Sequence, residues 1–232
     1  MARLGIVQAL VPTPAGEARI TRFPATAAEP RRALLVLGHG AGGGIQAPDL
    51  QALAAALPAR GVEVVLVEQP WRVAGKKIAS PPKTLDAGWE PVIEHLRKEA
   101  AETGPPASGR RDNSGGGDVP LIVGGRSAGA RVACRTGLAT GAAAVLALAF
   151  PLHPPGKPEK SRADELLGTG LPTLVVQGAT DPFGTAAQFP ALPATHRLVA
   201  LPAGNHEFAV RKTEQPVLDT VTEAVAAWIA DL

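Results

Sequence analysis

The sequence predicts an α/β domain: a doubly wound, mainly parallel sheet flanked by helices. Two patterns predict it. Short runs such as 33–39 and 143–150 are apolar almost throughout, as in strands covered on both faces. They alternate with Ala-rich stretches whose apolar residues recur at helical spacing, the signature of repeated βαβ units. The length of 232 residues suits a single domain over 1–232 that needs no disulfide or metal to fold.

The elements follow in order. Residues 4–11 and 17–23 flank Pro12-Thr13-Pro14-Ala15-Gly16, a hairpin signal, and should add two antiparallel strands at one edge of the sheet. A buried strand is expected at 33–39. A helix follows at 49–60, where Leu50, Leu53, Ala54 and Leu57 share one face. Further strands are expected at 62–68, 119–124, 143–150, 172–178 and 196–201, and further helices near 88–101, 128–140 and 214–230. Residues 103–118 contain almost nothing apolar and read as a disordered surface loop within the domain. The span between 150 and 170 is too short for a large cap domain.

Composition excludes several classes of function. Hydrophobic residues make up 45% of the chain but aromatic residues only 3%, with no Tyr, so the core must be aliphatic. Lys and Arg number 23 against 21 Asp and Glu, and a net charge of +2 is no footprint for nucleic acid. The single Cys134 excludes a disulfide framework and a thiolate zinc site, and no His, Asp and Glu cluster has metal-ligand spacing. The N-terminal residues lack the apolar stretch of a signal peptide. The longest apolar run, Ala142 to Phe150, is about half of a membrane span. A cytoplasmic protein that avoids the membrane is expected.

The residues that carry chemistry lie at the carboxyl ends of the expected strands. Gly125-Arg126-Ser127-Ala128-Gly129 falls between the strand 119–124 and the helix 128–140. It has the G-x-S-x-G form of a nucleophile elbow, in which a strained turn exposes a serine hydroxyl at a helix N-terminus. The bland alternative is a Gly-rich turn with a capping Ser. His39-Gly40-Ala41-Gly42-Gly43-Gly44 follows the strand 33–39 and can aim backbone N–H groups at the same crevice. The amides of Ala41 or Gly42, with that of Ala128, are the expected donors to an oxyanion. A phosphate loop is disfavoured, because neither G-x-G-x-x-G spacing nor G-K-[ST] is present.

Asp181 follows the strand 172–178, and His206 lies between the last strand and the last helix. Alone, each reads as an ordinary turn or solvated loop residue. In chain order, Ser127, Asp181 and His206 reproduce the nucleophile, acid, base succession of α/β hydrolases. His39, Trp71, Arg126 and His153 are candidate substrate contacts, although His153 could equally bond only to its own loop. Residues 71–77, with 78–87, are long enough to cover the site. Lys76 and Lys77 there could meet an acidic substrate or lie in solvent. Arg126 and Arg131 could pair with acids, Cys134 should be buried and inert, His95 should be at the surface, and His196 has no site logic.

These residues also carry a family resemblance. The stretches His39-Gly40-Ala41-Gly42, Gly125 to Arg131, Pro151-Leu152-His153-Pro154-Pro155-Gly156-Lys157-Pro158, Gln177-Gly178 with Asp181-Pro182-Phe183, and Asn205-His206 resemble one branch of the α/β hydrolases. That branch holds dienelactone-hydrolase-like bacterial proteins and the hydrolase-like region of subunit 3 of the NSL histone acetyltransferase complex. The likeness runs from about residue 30 to the end. It implies Ser127 as nucleophile, Asp181 as acid and His206 as base, with no cofactor. Dienelactone hydrolases proper carry Cys at the position of Ser127, so their lactone chemistry does not carry over. The expected activity is hydrolysis of a small-molecule carboxylic ester or thioester through an acyl-enzyme. A non-catalytic binding or scaffold protein and an acyltransferase using the same residues are the alternatives.

Overall fold

The structure is a computed structural model and describes residues 5–26, 31–103 and 119–232. Its strands are β1 (Val7–Thr13), β2 (Gly16–Phe23), β3 (Ala33–Gly38), β4 (Val62–Glu68), β5 (Leu121–Arg126), β6 (Ala144–Leu148), β7 (Thr173–Gln177) and β8 (His196–Ala200). The helices are α1 (Pro48–Ala56), α2 (Pro70–Val73), α3 (Pro82–Thr103), α4 (Ala128–Thr136), α5 (Ala163–Leu167) and α6 (Leu218–Ala230). All strands join one sheet in the order β1-β2-β4-β3-β5-β6-β7-β8. From β4 to β8 the pairing is parallel, and the β1–β2 hairpin adds antiparallel strands at one edge, as expected.

The expected burial of both sheet faces shows in the side chains. Along β3, Leu34 and Val36 enter one core while Leu35 and Leu37 enter the other. The period of two repeats in β4, where Val65 and Val67 oppose Val64 and Leu66. Trp89, Val92, Ile93 and Leu96 of α3 close the first core, with Val132 and Ala133 of α4. Leu50 and Leu53 of α1 and Val221, Val225 and Trp228 of α6 close the second.

Several boundaries differ from expectation. Helix α3 begins at Pro82 rather than near 88, because Pro is favoured in a first turn and Gly88 is tolerated inside the helix. A Cβ at Gly88 would come within 2.8 Å of the Gln69 side chain, so the small residue serves a close crossing. Helix α4 ends at Thr136 rather than 140, where Gly137 and Gly141 carry the chain into a turn. Helices α2 and α5 were not expected; one helical turn leaves no periodic signal. Of the residues 103–118 expected to form a disordered loop, Thr103 ends α3 and 104–118 lie outside the described residues. Among the described residues, no helix is long and apolar enough to cross a membrane.

The chain runs from β3 to β4 on one side and then returns to place β5 on the other. The winding therefore reverses between β3 and β5, and the crevice beyond their carboxyl ends is where such sheets hold ligands. Gly38 and Gly125 are register partners there, and the two glycine-rich motifs emerge side by side.

Candidate active site

Ser127 stands between β5 and α4 with φ 52° and ψ −113°. A non-glycine residue at positive φ is strained and persists only when its surroundings hold it. Here its N–H donates to the Leu148 carbonyl at 2.9 Å and its carbonyl accepts from the Arg131 N–H at 3.2 Å. The flanking glycines permit the turn. A Cβ at Gly129 would lie 2.5 Å from the Gly38 carbonyl oxygen, and one at Gly125 would strike the same group. Strand β3, strand β5 and helix α4 meet this closely because no side chain intervenes.

His206 and Asp181 reach the serine from two other strand ends. The loop after β8 turns on Asn205, whose Oδ1 accepts the N–H groups of Glu207 at 2.8 Å and Ala209 at 3.0 Å. This presents the His206 ring, whose Nε2 lies 2.8 Å from Ser127 Oγ. Its Nδ1 lies 2.8 Å from Asp181 Oδ2, and the Asp181 side chain is fully buried. A carboxylate only accepts, so the ring proton belongs on Nδ1 and the Nε2 lone pair faces the serine O–H. Asp181 is itself held by the Phe183 N–H at 2.8 Å on Oδ1 and the Gln177 amide at 2.9 Å on Oδ2. The Phe183 ring packs on the imidazole, with centroids 4.1 Å apart.

Beside the serine lies a narrow cleft, lined by Ala41, Ala128, Trp71, Ala79 and Leu85 among others. The space open to a water's centre is about 10 Å³, room for about one water. The Ala128 N–H is the first of α4, at the positive end of the helix dipole. Ala41 and Ala128, two of the expected oxyanion donors, thus wall one cleft, while Gly42 is exposed and outside that lining.

A profile of the alpha/beta hydrolase domain matches residues 31–232. The chain belongs to the alpha/beta hydrolase family. Among solved structures it is similar to a serine hydrolase from Xanthomonas campestris described as lacking a lid, at 18% identity and a TM-score of 0.69, covering 98% of this chain and 97% of that one. It is similar to Est1E from Butyrivibrio proteoclasticus at 14% identity and a TM-score of 0.67, covering 97% and 98%. A dienelactone hydrolase from Anabaena variabilis shows 17% identity and a TM-score of 0.66, covering 98% and 97%. At such identities the likeness speaks to the fold. No curated protein matches the sequence.

The remaining candidates of this alpha/beta hydrolase divide by what they touch. His39 lines the cleft, but its Nε2 accepts the Gln69 N–H at 3.1 Å and its Nδ1–H donates to the Gly40 carbonyl at 2.9 Å. Both nitrogens are committed to backbone, and burial holds its pKa below the usual 6.5. Trp71 packs edge-on to that ring at 5.5 Å and forms a cleft wall. Arg126 does not reach for the cleft: its Nε donates to buried Asp49 at 3.1 Å and its Nη2 to the His206 carbonyl at 2.6 Å. His153 bonds its own loop, with Nδ1 2.9 Å from the Pro154 carbonyl oxygen, and its N–H donates to the Phe183 carbonyl at 3.0 Å.

The side chains of the other cations and of the peripheral candidates have partners elsewhere or face solvent. Lys76 lines a different, outer cleft with Glu17 and Thr84, and Lys77 is exposed. Arg131 forms a two-pronged pair with Glu165 at 2.6 Å. Cys134 is buried and its thiol pKa is pushed up by burial, which suits an inert residue. The His95 side chain is partly exposed and sits near Glu99, and His196 bonds Thr169 at 2.9 Å. Among the described residues, no group of three or more His, Cys, Asp or Glu is placed to hold a metal ion.

The sequence assigns no role to Gln177 and Phe183, which enter only through the family resemblance, or to Asp49. Gln177 carried a signal, a polar residue ending an apolar strand four residues before Asp181. Asp49 gave no such signal, because an acid in the first turn of a helix is commonplace.

Proposed function

We propose that the chain is a serine hydrolase acting on small or extended carboxylic esters or thioesters. Ser127 is the nucleophile, His206 the general base and then acid, and Asp181 the residue that orients and charge-balances the imidazole. The observation that carries this reading is the line from Asp181 Oδ2 through His206 to Ser127 Oγ, with 2.8 Å at each step. As Oγ attacks the carbonyl carbon, His206 Nε2 takes the hydroxyl proton. The oxyanion forms where the amides of Ala128 and Ala41, or its neighbour Gly42, can donate to it. Collapse breaks the bond to the alkoxide or thiolate, which leaves with the proton from Nε2. Water, deprotonated by His206, then attacks the acyl carbon, and Ser127 regains its proton as the acid departs. Asp181 keeps the Nδ1–H throughout and accepts no proton.

Small or extended acyl groups are expected over bulky lipids, because the span between 150 and 170 is too short for a large cap domain. We further propose that the chain belongs to the dienelactone-hydrolase-like and NSL-subunit-3-like branch, which its motif set supports, and that it acts in the cytoplasm. A fluorophosphonate probe tests the proposal. Wild type is expected to be labelled on Ser127, and Ser127→Ala to be blank. An unlabelled wild type, or equal labelling of the alanine variant, would reject it in favour of a non-catalytic member of the fold.

A further inference from the structure

We infer that Arg126, anchored by Asp49, is a positioning residue that sets the spacing between His206 and Ser127. The inference rests on the proposed roles of those two residues. Arg126 ends β5 and directly precedes the nucleophile. Its Nη2 donates to the backbone carbonyl of His206 at 2.6 Å, and its Nε donates to Asp49 on α1 at 3.1 Å. Arg126 is 7% exposed and Asp49 fully buried. A Cβ on Gly40 would lie 3.1 Å from Arg126 Nη1, so the guanidinium also runs along the glycine-rich loop. One side chain therefore touches the base-bearing loop, the loop with the expected oxyanion donors, and the strand carrying the nucleophile.

The wider hydrogen bonding shows why such a tie is needed. The start of the His206 loop is fastened to the Asp181 loop: Ala179 N–H donates to the Ala203 carbonyl at 3.3 Å and Thr180 N–H to the Gly204 carbonyl at 3.0 Å. Acid and base thus form one unit built on β7 and β8. The nucleophile belongs to another, built on β5 and α4. Among the described residues, the bond from Arg126 is the only one that β5 makes to the backbone of the His206 loop. The bidentate fork of arginine suits this role, whereas one ammonium group does not span both acceptors. Asp49 makes the arrangement possible, since a guanidinium buried here without a counter-charge would be costly to desolvate. Burial pushes the Asp49 carboxyl above its usual range, and the Arg126 guanidinium beside it offsets part of that rise. A substrate contact is the weaker reading, because Nε and Nη2 are both engaged within the protein.

The test compares wild type with Arg126→Met, Arg126→Lys and the double variant Asp49→Asn/Arg126→Met, which leaves no lone buried carboxylate. Three quantities are measured on folded protein: the rate of fluorophosphonate labelling at Ser127, kcat and KM for p-nitrophenyl acetate, and the far-downfield proton resonance of His206 Nδ1–H, assigned by its loss in His206→Ala. Arg126→Met and the double variant should lose about 10- to 100-fold in labelling rate and kcat, with KM little changed, the cost expected of a misplacement near 1 Å. Arg126→Lys should fall between them and wild type. The His206 resonance should persist in all, because the acid–base unit is held separately. Wild-type labelling rates in both methionine variants would overturn the positioning role while leaving the hydrolase reading intact. Loss of the resonance together with the rate would also overturn it, by showing that Arg126 supports the fold of the whole His206 loop. An unlabelled wild type would remove the hydrolase reading and this inference together.

Discussion

A serine hydroxyl is a weak nucleophile at neutral pH until a base is brought against it. In the proposed mechanism that base is His206, and the partners of Asp181 decide how steadily its ring is aimed. Gln177 donates to Asp181 Oδ2 at 2.9 Å and to the Gly184 carbonyl at 2.6 Å, from a fully buried position. Gln177→Leu is therefore expected to lower stability by about 1–3 kcal/mol and to lower kcat more than it raises KM. Urea denaturation and steady-state kinetics on p-nitrophenyl acetate check this, and an unchanged kcat would count against it. His39 supplies a pH test. Its pKa is lowered by burial from 6.5, so below that pH the unfolded chain binds the proton more readily than the folded one. Stability should be full above about pH 6.5 and decline as pH falls below it. Replacing His39 with Gln should flatten that decline in a series of urea midpoints, and an identical slope would show that His39 does not cause it. Ser127, Asp181 and His206 were legible in the sequence because each follows a strand and their order is informative. Arg126, Asp49 and Gln177 were not legible in role, since their partners are set by crossings between elements. Arg126 meets groups 77 and 80 residues away.

At the scale of elements, the site depends on how closely β3, β5 and α4 approach. Gly129 faces backbone, with the Gly38 oxygen 2.5 Å and the His39 oxygen 3.0 Å from where a Cβ would stand. Backbone yields less readily than a side-chain tip. Gly129→Ala should cost about 1–3 kcal/mol despite the better helix propensity of alanine. A midpoint equal to wild type in chemical denaturation would show that the approach is slacker than described. The strands that make this junction could be read from sequence because they are apolar on both faces. The single-turn helices α2 and α5 could not, being shorter than any period, and glycine obscured the start of α3 and the end of α4.

At the scale of the molecule, the winding of the sheet matters more than any one contact. Reversal of direction between β3 and β5 opens the crevice, and the ends of β5, β7 and β8 bring Ser127, Asp181 and His206 together there. Burial follows the same plan, with β3, β5 and β6 covered on both faces and β1 largely exposed at the edge. Amide hydrogen exchange should accordingly be slowest in β3, β5 and β6 and fastest, among the strands, in β1. Equal protection of β1 and β5 would contradict this ordering. The proposed mechanism requires that these strand ends make Ser127 a base-activated nucleophile, and trapping the acyl-enzyme checks that requirement. After brief reaction with p-nitrophenyl acetate and an acid quench, peptide mass spectrometry should find an acetyl group on Ser127 in wild type and almost none in His206→Ala. Acetylation of Ser127 to the same extent in both proteins, or in neither, would contradict the account.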